Sequence, residues 1–287
     1  MSSFYVLLAG VLWGIIPIFV DALQSTGFSS MQVVAVRATF TAALLGLILL
    51  IGNRSAFRIQ LKDVKYFLGT GIGSIVFFNY CYFMALELIG SSAIPALLMY
   101  TAPAIVMVLS VMLFHERFTK KKVLALLLTM LGLGLVTGTG RSLSGSTLSL
   151  VAILYGLGAG LGYALYSIFS KFIVHRYAPT TITFYTFLVA TCVAIPFSGV
   201  LAKTAVLVDF TVWPYAVGLA LVSTIAPFAL YTRGLSGMEA SRASILATVE
   251  PIVACIVGVL YYGDRLHSLE VVGILLVLGA IGLLNKR

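Results

Sequence analysis

Residues 98–135 read LMYTAPAIVMVLSVMLFHERFTKKKVLALLLTMLGLGL, and residues 246–283 read LATVEPIVACIVGVLYYGDRLHSLEVVGILLVLGAIGL. The second stretch begins 148 residues after the first (246 against 98), and the two align without a gap. Leu98, Pro103, Val111, Glu116, Arg117, Val123, Leu127, Leu128, Gly134 and Leu135 fall on Leu246, Pro251, Val259, Asp264, Arg265, Val271, Leu275, Leu276, Gly282 and Leu283. Shared Leu and Val carry little weight, because any two apolar helices share them. A proline followed at a fixed distance by an acid–Arg pair is specific. At a shift of 150 (163 against 13), Trp13-Gly14 falls more loosely on Tyr163-Ala164. The chain therefore reads as a duplication. The Gly/Ser-rich stretch 138–146 reads as the joint, which gives a first half of 1–139 and a second half of 140–287.

The composition says where such a chain can live. Of 287 residues, 61% are apolar and 9% charged, against about 25% charged in soluble domains. So few charges cannot coat a soluble surface, which excludes a globular domain, a disordered chain and a coiled coil. The partner that remains is a lipid bilayer. Spans are predicted near 4–23, 31–52, 64–88, 91–113, 122–139, 148–174, 179–201, 211–233, 240–262 and 269–285, each close to the roughly 20 residues a helix needs to cross. The runs are too long and too evenly apolar for barrel strands of about ten alternating residues. The first run lacks a preceding base and a small-residue cleavage pattern, so it is expected to be a retained span rather than a signal peptide.

Ten spans put alternate connections on opposite sides. Arg54, Arg58, Lys62, Lys65, Arg117, Lys120, Lys121, Lys122, Lys171, Arg176, Arg233, Arg242, Lys286 and Arg287 share the side of the termini. Arg141, Lys203 and Arg265 lie opposite. This bias places both termini in the cytoplasm of a cell (inner) membrane, and it accounts for the net charge of +9 without nucleic acid. Each half holds an odd number of spans, so the second copy enters upside down. The predicted fold is an all-α integral membrane protein of ten helices in two inverted five-helix repeats. Inverted repeats of this kind are a transporter architecture, with a small-molecule site near the midplane between the repeats.

The motifs carry a family likeness. Leu12-Trp13-Gly14, Thr101-Ala102-Pro103, Phe114-His115-Glu116-Arg117, Val249-Glu250-Pro251 and Gly263-Asp264-Arg265 occur in an order and spacing that resemble the EamA branch of the drug/metabolite transporter superfamily. The likeness runs over essentially the whole chain. Asp264 stands where that family usually has Glu. The resemblance implies solute transport, often efflux of amino acids or other metabolites. It also implies a site enclosed by spans one, three, four, six, eight and nine, with five and ten outside.

Several residues are candidates for the site. Glu250 is the one acid placed deep in a span, where an ionised carboxylate is costly unless paired or wet. Binding a cationic group, titrating as a proton-coupling site and holding spans four and nine together are its three open roles. Arg37 is the one base more than a turn inside a span. It either snorkels to the outer interface or pairs with a polar cavity wall. If both charges face one cavity, a zwitterion such as an amino acid could be held at both ends. Trp13, Asn79, Tyr80, Tyr100 and Tyr163 could form a polar–aromatic wall suited to rings or ammonium groups, or could simply pack helices. Pro103 and Pro251, at matching repeat positions, free the carbonyls of Met99 and Ala247 and are candidate hinges. Glycine pairs at four-residue spacing, Gly69 with Gly73, Gly134 with Gly138, Gly156 with Gly160 and Gly158 with Gly162, suit close helix packing.

Neither a metal nor a cofactor is expected. Cys81, Cys192 and Cys255 lie apart in apolar runs, and His115, His175 and His267 are scattered at helix ends. An enzyme would need grouped catalytic residues, and a channel repeated polar rings. No ATP-binding motif occurs, which leaves a substrate or proton gradient as the drive. Amino-acid export is the leading reading; a carrier of organic cations such as quaternary amines, or of nucleobases, is the alternative. A monomer and a homodimer are equally compatible.

Overall fold

The computed structural model describes residues 1–138, 149–203, 206 and 208–285. Nine helices in it are long and apolar enough to cross a membrane: α1 (Ser2–Ser25), α2 (Ser30–Gly52), α3 (Leu61–Ile89), α4 (Ala93–Phe114), α6 (Leu150–Ile173), α7 (Pro179–Ser198), α8 (Trp213–Ser236), α9 (Ala240–Tyr262) and α10 (Ser268–Asn285). Between them α5 (Lys120–Val136) has 17 residues, at the short end of what spans a bilayer. The order is the ten-helix order expected, with ends displaced by a few residues. The joint at 139–146, the boundary between residues 139 and 140, and Arg141, Lys286 and Arg287 lie outside the described residues.

Packing follows the duplication. Exchanging each helix for its copy (α1 for α6, α2 for α7, and so on) maps the main contacts onto one another. Helix α1 packs on α8 and α9, and its copy α6 packs on α3 and α4. Three pairs map onto themselves: α2 on α7, α4 on α9, and α5 on α10. In lipid there is no hydrophobic drive between helices, so close packing and hydrogen bonds hold them. Two glycines in equivalent places let helix backbones meet. A Cβ on Gly10 would stand 2.9 Å from the Ala247 carbonyl oxygen, and one on Gly160 would stand 3.2 Å from that of Met99. These are the two carbonyls opposite Pro251 and Pro103. The second expected glycine row also faces a neighbour, since Gly158 and Gly162 meet Cys81 and Phe78 of α3.

The helices are interrupted in repeat-related places. Helix α4 tightens at Thr101, whose N–H bonds to Leu98 (3.1 Å), and α9 tightens at Thr248, whose N–H bonds to Ile245 (3.2 Å). Pro103 and Pro251 then lie in the first turn of the next segment, where a missing N–H breaks no intrahelical bond. Helices α3 and α8 each pass through a wide π-helical stretch, Gly69–Val76 and Leu221–Ile225, again at matching positions (73 against 223).

Candidate functional site

A cavity of about 640 Å³ lies between the repeats. Trp13, Asn79, Tyr100, Tyr163 and Glu250 all line it, and so do Pro251 and Arg37. The enclosing helices are α1, α3, α4, α6, α8 and α9, as expected, but α2 contributes as well through Val33, Val34 and Arg37, and the end of α5 through Val136 and Thr137.

One expectation needs correction. Tyr80 is 46% exposed on the outside of the bundle, set edge-on to Tyr155 with 6.1 Å between ring centroids. Neighbouring residues on a helix point about 100° apart. With Asn79 turned to the cavity, Tyr80 is carried away from it. Of the two alternatives left open for Arg37, the side chain does not snorkel. Its Nε–H donates to Thr224 Oγ1 at 2.8 Å, and its guanidinium carbon lies 5.9 Å from the Phe187 ring centre and 5.8 Å from that of Phe228. The side chain is drawn inward by a hydroxyl and two ring faces. Pro103 does not line the main cavity either; it borders a small void beneath it.

The deep wall is polar and aromatic. Tyr163 donates its hydroxyl to Glu250 Oε2 at 2.6 Å, and Trp13 packs against Phe228 and Tyr231 at 5.2 and 5.4 Å. Asn79 spends one amide N–H on the carbonyl of Ile75 (2.7 Å). Glu250 and Arg37 face the same space, yet among the described residues no ion pair joins them.

On the side of the chain termini the cavity is closed. The void under Tyr100 and Tyr163 measures about 10 Å³, at the lower limit for one water molecule. Below it α6 is tied to α8 in steps: Ser167 and the Tyr231 hydroxyl at 2.6 Å, Tyr166 and Thr232 at 2.8 Å. Lys171 Nζ then donates to the carbonyls of Leu235 (3.0 Å) and Met238 (2.6 Å). The seal ends in a buried latch. Glu116, just past α4, accepts the N–H groups of Ala240 (2.6 Å) and Ser241 (3.2 Å) and the Ser241 hydroxyl at the start of α9. Lys122 lies 3.8 Å from Glu116 and 2.8 Å from Glu239. At the opposite face the lining residues Asp21, Ser92 and Asp264 are exposed, so the cavity opens there.

Thr224, Ser167, Lys171 and Glu116 were not legible as site or seal residues. The repeat register flags Glu116 through its copy Asp264, but its partners stand 124 and 125 residues away, and nothing local announces them.

Comparison with known proteins agrees with this architecture. The model of the EamA-like transporter family matches twice, over residues 1–138 and 150–286. An uncharacterized transporter of Archaeoglobus fulgidus is 33% identical over 189 residues, 66% of this chain and 65% of its own length. The uncharacterized transporter YwfM of Bacillus subtilis is 28% identical over 48% of this chain and 45% of its own. The chain thus spans less than two thirds of either relative. The threonine/homoserine exporter RhtA of Escherichia coli is 26% identical over 83% of this chain and 76% of its own. A crystal structure with 18% identity superposes with a TM-score of 0.78, covering 99% of this chain and 96% of the other.

Proposed function

The chain belongs to the EamA-like transporter family of the drug/metabolite transporter superfamily, and we propose that it exports amino acids by alternating access around the cavity between its repeats. The observation that carries the substrate class is the pair of opposite charges, Glu250 and Arg37, facing one aromatic-walled space without pairing to each other. Likeness to a threonine/homoserine exporter supports the same class. The base asymmetry supports cytoplasmic termini in a cell membrane. With that orientation, the cavity opens outward.

The reverse state follows from the repeats. Asp264 is the copy of Glu116, and Ser92 and Ala93 are the copies of Ala240 and Ser241. In the inward-open state Asp264 closes onto the start of α4 as Glu116 now closes onto α9, with Pro103 and Pro251 at the hinges. The drive is a gradient of substrate or of protons, and Glu250 is the group that would carry a coupled proton. A second reading, an organic cation or nucleobase carrier, is favoured by one feature: a carboxylate set among aromatic faces.

The test is a thermal-shift panel of amino acids, quaternary amines and nucleobases on the purified protein, repeated with Glu250→Gln. Ligands that bind only the folded state raise the melting temperature. Shifts with amino acids, lost in the variant, are expected. Shifts with amines or bases alone would replace this reading by the second.

A further inference from the structure

The cavity holds a cation whose fixed and free edges can be told apart. Arg37 has five N–H donors, and one is used: Nε–H to Thr224 Oγ1 at 2.8 Å. The Thr224 hydroxyl donates in turn to the Leu219 carbonyl at 2.8 Å, which turns its lone pair to Arg37. That bond reaches back five residues (224 against 219), whereas a threonine in a regular helix reaches three or four. The wide turn at Leu221–Ile225 makes this reach possible. Thr224 is fully buried. The flanks of the guanidinium meet Phe187 and Phe228, whose own rings stand edge-on at 5.0 Å.

What remains is the outer edge. Among the described residues, no hydrogen bond or ion pair engages the two terminal nitrogens of Arg37. A cation without a counter-ion at membrane depth is costly. A guanidinium presents two parallel N–H groups that match a carboxylate bidentately, which an ammonium does not. We infer that Arg37 is the carboxylate anchor of the cavity and Thr224 its positioning residue, so that substrate must carry a carboxylate. This rests on the amino-acid reading above and deepens it. Glu250, with Tyr163, is then left for the ammonium end.

Equilibrium binding to the purified full-length protein tests the assignment. The probes are L-threonine, L-leucine and L-phenylalanine, each beside its decarboxylated amine: 1-amino-2-propanol, 3-methylbutylamine and 2-phenylethylamine. The wild type is expected to favour an acid over its amine by at least about tenfold, the scale of a charge-assisted bidentate contact. Thr224→Val and Arg37→Lys should each weaken the acid by about tenfold and leave the amine unchanged, and Thr224→Ser should restore the acid. A merely structural Thr224 would weaken both ligands by the same factor, and that result overturns the assignment. Equal binding of acid and amine by the wild type also overturns it while leaving an amino-acid carrier standing. A wild type that binds amines alone, or no probe at all, overturns the amino-acid reading and this inference together.

Discussion

At Glu250 two demands meet at one carboxylate. It accepts the Tyr163 hydroxyl and still faces the cavity. Glutamine keeps an oxygen that can accept the same bond, whereas alanine leaves the tyrosine hydroxyl without a partner. Glu250→Gln is therefore expected to fold with little change in melting temperature while transport in proteoliposomes falls at least tenfold. Glu250→Ala should in addition lose about 1–3 kcal/mol of stability, the usual cost of orphaning a buried polar group. Unchanged transport by the glutamine variant would remove Glu250 from the mechanism. Asn79 and Tyr80 teach a different lesson at this scale. Two neighbouring polar residues in an apolar run look alike in sequence, and only the packed helix decides that one faces the cavity and the other its surroundings.

Helices α1 and α9, and their copies α6 and α4, touch backbone to backbone at Gly10 and Gly160. There the added Cβ would also meet Val249 Cγ1 at 2.5 Å and Thr101 Oγ1 at 2.5 Å, respectively. Gly10→Leu and Gly160→Leu should each push the interrupted helix outward and cost about 1–3 kcal/mol or more by overpacking, read as a lower melting temperature. Gly279→Ala is the control, since a Cβ there meets nothing within 4 Å. A similar approach joins α5 and α10, where a Cβ on Gly132 would lie 2.7 Å from the Gly273 carbonyl oxygen. The small-residue spacing was legible in the sequence for α6, and the structure gives it two faces. For α5 it pointed to Gly134 and Gly138, whereas the contact falls on Gly132, because an even scatter of glycines does not say which side of a helix meets a neighbour.

For the molecule as a whole, the seal on the side of the chain termini sets which face is open. Glu116 accepts three hydrogen bonds and sits beside Lys122. Its copy Asp264 is followed along the chain by Glu270, where the side of the termini has Lys122 (270 against 122). The latch at Glu116 thus gains a cation that its copy lacks at that position, which favours the state whose cavity opens opposite the termini. Glu116→Gln weakens charge-assisted bonds worth about 1.5–3 kcal/mol, enough for a tenfold shift in population. Cys255 lines the cavity and reports on it. In a Cys81→Ser, Cys192→Ser background, a membrane-impermeant maleimide applied from the face opposite the termini should label Cys255 readily. Glu116→Gln should slow that labelling several-fold, and labelling at an unchanged rate would show that the latch does not hold the closed face.

The sequence by itself determined the membrane class, the ten-helix order and the duplication with its inversion. Composition, span length and a repeated proline–acid–Arg register are local or additive properties, and they survive without coordinates. It also marked Glu250, Arg37, Tyr100 and Tyr163, because an ionisable or aromatic group inside an apolar run is anomalous wherever it points. Tertiary structure alone decided the rest: the inward turn of Arg37, the Thr224 that holds it, the latch at Glu116 and the open face. Helices apolar on every side carry almost no amphipathic signal, so their sequence does not say which face is inward. The deciding bonds join residues 87 to 187 positions apart, and such pairs exist only once the two repeats have packed.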